Sequence, residues 1–110
     1  SETGEKDPEA AIDMMKLLLD TVGDKLQERE VAYQFLGWDM DGLLRDPAVQ
    51  RPLLQRLKWD DTLARQIFRS AYMDTGQQML YEACDFYGEP ELKGKILALL
   101  EANPLFEDFA

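Results

Sequence analysis

Three of the chain's five prolines follow an acidic residue and open a stretch with a helical apolar period: Asp7-Pro8, Asp46-Pro47 and Glu89-Pro90. A carboxylate before a helix can accept its free backbone N–H groups. Proline at the first helical position gives up no hydrogen bond, because that N–H has no intrahelical acceptor. After each proline the apolar residues recur at the same offsets. The sets are Ala10, Met14, Met15 and Leu18; Val49, Leu53, Leu54 and Leu57; and Leu92, Ile96, Leu97 and Leu100. This is the spacing of one face of a helix, and it predicts three helices starting near residues 8, 47 and 90.

The stretches between them read the same way. A second helix is expected from about Asp24 to Trp38, carrying Leu26, Val31, Ala32, Phe35 and Leu36. Gly23 marks a bend or break before it, and Gly37 and the Asp39-to-Gly42 stretch weaken its end. Asp60 or Asp61 caps a helix with Leu63, Ala64, Ile67, Phe68, Ala71 and Tyr72 on one side. Asp74 or Thr75 caps another, with Met79, Leu80, Ala83, Cys84, Phe86 and Tyr87 facing inward and Gly88 as its stop. The helix from Pro90 places Leu92, Ile96, Leu99 and Leu100 inward and ends at Asn103-Pro104. Pro52 removes a backbone donor, so the helix from Pro47 is expected to kink or restart there. No segment alternates apolar and polar residues with β-branched enrichment, so propensity and period agree on an all-α fold.

The expected architecture is a single domain of about five or six short helices. Residues 7–104 are expected to form the helical domain, between a disordered N-terminal segment (1–6) and an acidic-aromatic tail (105–110). The proline-led starts lie 39 and 43 residues apart, within the range of two-helix solenoid repeats. The stretch Leu36, Trp38, Asp39, Leu43, Leu44 also aligns with Met79, Tyr81, Glu82, Phe86, Tyr87. The same pattern describes plain amphipathic helices, so a helical bundle and a short helical-repeat-like array both satisfy it.

Several chemistries lack their residues. The chain has no histidine and a single cysteine, Cys84. This removes histidine-based acid–base and nucleophilic catalysis, cysteine–histidine metal sites and an internal disulfide. No glycine-rich phosphate loop occurs. Asp39, Asp41 and Gly42 sit at offsets of a calcium loop, but its end positions would be Gly37 and Ala48, which cannot ligate. Adjacent Asp60-Asp61 reads as helix capping rather than as a catalytic pair. Cys84 shares the face of Leu80, Ala83 and Tyr87, the setting of a buried thiol. The chain is therefore expected not to be an enzyme and to need no cofactor.

Charge narrows the partners. With 22 acidic and 12 basic residues the net charge is −10, which repels nucleic acid and anionic membrane and favours solubility. No apolar stretch is long enough to span a bilayer. A soluble, intracellular protein is expected, with another protein or a second copy as its partner. Bases concentrate in the middle: residues 42–73 hold six against three acids. Arg65 and Arg69 there read either as a ladder with Asp61 on an exposed helix face or as an arginine patch that docks an acidic partner. Met14, Leu17 and Leu18 widen the apolar arc of the first helix beyond what one core contact needs, and are candidates for partner binding. Phe106 and Phe109 in the tail are further candidates, folding back or inserting into another protein. The function expected is a non-catalytic protein–protein interaction domain: an adaptor, assembly factor or regulatory subunit. The alternative is an acidic inhibitor that imitates nucleic acid and occupies a basic site on its target.

Overall fold

The computed structural model describes residues 7–23, 37–69 and 74–103. Among these are six helices and no strand: α1 (Pro8–Val22), α2 (Gly37–Arg45), α3 (Pro47–Leu57), α4 (Asp61–Phe68), α5 (Asp74–Phe86) and α6 (Pro90–Glu101). The chain is an all-α bundle.

The helices start and stop where local chemistry dictates. Asp7 accepts the N–H groups of Glu9 and Ala10 at 3.1 and 3.2 Å, and Asp46 accepts that of Ala48 at 2.9 Å. Asp60 accepts the N–H of Leu63 at 3.1 Å. Prolines 8, 47 and 90 each occupy the first helical position. Gly88 ends α5 with φ 68°, a conformation open to glycine. Around it the Gly88 N–H reaches the Asp85 carbonyl and the Glu89 N–H the Cys84 carbonyl, at 3.3 and 2.8 Å. These paired bonds satisfy two carbonyls that the helix end leaves free.

Helix α3 lies at the centre, packed against α1, α2, α4 and α5. Its Val49, Leu53, Leu54 and Leu57 have no solvent exposure. Around them gather Ile12, Met15 and Leu19 of α1, Met40 and Leu44 of α2, Leu63, Ile67 and Phe68 of α4, Leu80 and Cys84 of α5, and Leu92, Ile96 and Leu100 of α6, in one cluster. Each fully buried aliphatic side chain contributes about 1.5–3 kcal/mol of transfer free energy.

Buried amides join helix ends across the bundle. The Leu44 carbonyl at the end of α2 accepts Gln50 Nε2 at 3.2 Å. At the end of α4, Ile67 accepts Gln77 Nε2 and Phe68 accepts Asn103 Nδ2, both at 2.7 Å. The Leu57 carbonyl closing α3 takes Lys95 Nζ at 3.0 Å. Carbonyls of a last turn lack intrahelical donors, so a buried end needs such partners.

The structure corrects several expectations. The stretch from Gly37 to Gly42 does not weaken a helix; it lies within α2. Tertiary contacts override its poor propensity: Met40 and Leu44 are buried, and Asp41 pairs with Arg45 and accepts a backbone N–H from α5. Residues 24–36 of the helix expected from Asp24 to Trp38 lie outside the described residues, as do Ala71 and Tyr72, and Gly37 and Trp38 lie in α2. Helix α3 runs through Pro52 without restarting. On α5, Met79 and Phe86 do not point inward: they are 37% and 82% exposed. The polar Gln77 takes the inward place, because its amide is spent on the Ile67 carbonyl. Tyr87 and Leu99 are half-buried against the core.

Candidate functional site

Helix α1 is apolar on two sides. Ile12, Met15 and Leu19 recur at the helical period and are fully buried. Met14, Leu17 and Leu18 recur at the same period more than about 100° around the helix. They are 56%, 61% and 38% exposed. Ala10 and Thr21, also exposed, extend this outer stripe by a turn at each end. Helices α1, α3 and α6 carry the same apolar offsets after their first proline. Leu53 and Leu57 of α3, and Ile96 and Leu100 of α6, are buried; their counterparts on α1 are the exposed Met14 and Leu18. Helix α1 thus has the apolar pattern of an internal helix but is covered on one side.

A polar seam runs along one edge of the stripe. Asp13 pairs with Arg56 of α3 at 3.2 Å, and Asp20 with Lys16 at 3.4 Å and with the Gln66 amide of α4 at 2.6 Å. The Gln66 hydrogen bond is the main reason the Asp20 carboxyl lies below its ordinary range. Arg56 also binds Asp60, its Nε 3.0 Å from Oδ2. Burial disfavours the Asp60 charge, but the Leu63 N–H and Arg56 outweigh it, and the carboxyl titrates below its ordinary value. Burial likewise opposes the Arg56 charge, and its two carboxylate partners more than restore it.

Arg56 carries the seam to an aromatic that sequence reasoning passed over. Its guanidinium lies over the Trp59 ring, 5.0 Å from the centroid, and Trp59 is 70% exposed. A signal existed: Trp59 follows Leu57, the last residue of one stripe, and precedes the Asp60 cap, so it belongs to neither apolar face. Phe86 was misassigned for the opposite reason. It lies within an apolar run, but its angular position falls beside the buried stripe; its ring meets Tyr87 edge-on at 4.9 Å.

The structure does not draw all the expected partner-binding residues together. Met14, Leu17 and Leu18 share the outer face of α1. Arg65 and Arg69 are exposed on α4 and at its C-cap, beyond the seam. The close partner of Asp61 is Lys95 of α6, which holds the Asp61 carboxyl below its usual value. Phe106 and Phe109 lie outside the described residues. The Asp60-Asp61 pair is divided, one carboxylate capping α4 and the other paired with α6.

An open depression of about 380 Å³ lies at the start of α6, lined by Lys58, Glu89, Pro90, Glu91, Leu92 and Lys95. Its two cations are committed within the chain: Lys58 to Glu89 at 3.3 Å, and Lys95 to Asp61 and the Leu57 carbonyl. Among the described residues no cluster of acidic or cysteine side chains could hold a metal, and no helix is long and apolar enough to cross a membrane. No protein-family model, curated protein or solved structure matches the chain.

Proposed function

We propose that this bundle is a non-catalytic interaction domain that binds another protein through the outer face of α1. The observation that carries the reading is the double-sided apolar character of that helix: Ile12, Met15 and Leu19 buried in the core, Met14, Leu17 and Leu18 left to solvent. Apolar side chains grouped on one exposed face mark contact surfaces, and methionine adapts to a partner because it is unbranched. Trp59 with Arg56 beside the seam adds the residue types that dominate binding energy at interfaces. The absence of histidine from the sequence supports a role without histidine-based catalysis. An acidic mimic of nucleic acid has less support, because Asp41, Asp60 and Glu89 are turned to partners inside the chain.

Photo-crosslinking tests the reading. A photoreactive side chain at position 17 is expected to capture a discrete protein in extract of the native cells. The same group at Ala98, exposed on α6, is expected not to. Equal capture from both positions would refute a docking role for this face.

A further inference from the structure

We infer that the partner segment seated on α1 is a basic amphipathic helix from another protein, a conclusion that rests on the docking-face reading above. Two properties of the surface define this occupant. The first is backbone chemistry. An extended peptide gains affinity by pairing its peptide groups with a free strand edge, and the peptide groups of α1 are spent within the helix. A partner helix brings its own peptide groups already paired. It lays an apolar stripe along Ala10, Met14, Leu17, Leu18 and Thr21, a run of roughly 16 Å.

The second property is charge. The edge of the stripe beside Leu17 carries Glu9, Asp13 and Asp20. The cations that answer these acids are the less exposed members of each pair. The Asp13 side chain is 69% exposed against 17% for Arg56, and Asp20 is 49% exposed against 26% for Lys16. Carboxylates therefore face solvent along the stripe while their counter-charges sit lower. Glu9 is exposed in the first turn, and the last turn of α1 has no basic residue. Lysine or arginine flanking the partner's apolar stripe would complement this edge. A second copy of the chain would oppose it: an antiparallel pair of α1 helices brings like carboxylates together, a parallel pair offers this edge no cation from the partner's α1 stripe, and in either case the two molecules each carry a net charge of −10.

Synthetic helical peptides serve as the probe. Three share one leucine stripe at i, i+3, i+4 and i+7, and are flanked by lysine and arginine, by glutamine, or by glutamate. Titrated into the intact chain, the basic peptide is expected to bind at least tenfold more tightly than the glutamate peptide and to weaken as salt rises. Asp13→Asn is expected to narrow the gap between basic and glutamine peptides. Leu17→Gln, which adds no charge beside Asp13 and Asp20, is expected to weaken binding of all three at least tenfold with the melting temperature unchanged. Equal affinity for the basic and glutamate peptides would overturn the basic-helix inference and leave the docking face standing. So would a dimer in sedimentation that Leu17→Gln dissociates. Binding to none of the three, or binding indifferent to Leu17→Gln, would remove the docking face itself. A fall of several degrees in the melting temperature of Leu17→Gln would show that the chain's own residues cover the face, and would end both readings.

Discussion

The Gly76 N–H at the start of α5 donates to Asp41 Oδ1 of α2 at 2.8 Å, so one helix supplies the cap of another 35 residues away. The approach is close enough to exclude a side chain. A Cβ on Gly76 would lie 2.6 Å from Leu44 Cβ and 2.8 Å from that same carboxylate oxygen. Two effects then compete in Gly76→Ala. Alanine favours a helix over glycine by up to about 1 kcal/mol, whereas overpacking a tight contact costs about 1–3 kcal/mol. Leu44 Cβ is fixed to the backbone and cannot swing aside, so the clash is expected to win. Denaturant titration should show net destabilisation of Gly76→Ala. Asp41→Ala should lose about 1–2 kcal/mol, the worth of a cap. A stabilised Gly76→Ala would mean that α2 and α5 are not held this closely.

Adjacent methionines test which side of α1 meets the core. Met15 is fully buried and Met14 is 56% exposed. Met15→Ala is expected to cost about 2–5 kcal/mol, the range for truncating a buried aliphatic side chain. Met14→Ala is expected to stay within about 0.5 kcal/mol, as for surface changes away from special contacts. Urea midpoints of the two variants check the difference. Similar losses from both would contradict the orientation of α1 and with it the solvent-facing stripe.

The same pair shows what was legible in the sequence. Periodicity located both apolar faces of α1, because the angle between side chains is fixed by helix geometry. Capping carboxylates located the starts of α1, α3 and α4, and Pro90 that of α6, where Glu89 caps no backbone N–H and its carboxylate is turned to Gln55 and Lys58 at the end of α3 instead. What escaped depended on partners distant in sequence. Nothing local in Gly37–Arg45 reports that Asp41 will meet Gly76, so poor propensity there read as the end of a helix. Nothing local marks the polar Gln77 for burial; it is buried because its amide donates to the Ile67 carbonyl. On α5 the apolar residues span a wider arc than one neighbour covers. Leu80, Ala83, Cys84 and Tyr87 share one face with Met79 and Phe86 to its side, and how much of that arc is covered is set by α2 and α6, which pack on it from elsewhere in the chain. The choice of Met14, Leu17 and Leu18 as the excess on α1 came from counting arc width, an argument that works for one helix and is silent on where Trp59 lies.

Acid should loosen the network around Arg56. Asp60 titrates below its ordinary value of 3.8 in the folded chain, and so does Asp20. A lowered folded value means that the fold favours the charged carboxylate. That stabilisation is complete above the ordinary value and is lost as pH falls through the lower folded one. Stability measured by urea titration is expected to decline from about pH 4 downward, and Asp60→Asn should decline less steeply over that interval. Equal slopes for wild type and Asp60→Asn would show that Arg56 and the Leu63 N–H do not act on this carboxylate.

Cys84 gives the opposite sign at the alkaline end. Burial pushes its thiol from 9.0 up to about 11, with the charges of Glu89 and Asp85 adding to the effect. The fold thus favours the neutral thiol, whose Sγ lies 3.5 Å from the Leu80 carbonyl. A raised folded value contributes stability in full below pH 9.0, and that contribution is lost as pH rises towards 11, because the unfolded chain ionises first. Wild type is therefore expected to lose stability relative to Cys84→Ala between about pH 9 and 11, with the difference constant at lower pH. The thiolate is the reactive form, so native protein at pH 8 should resist iodoacetamide and react once urea unfolds it. Rapid alkylation of the folded chain at pH 8 would place Cys84 at the surface and contradict its burial in the core cluster.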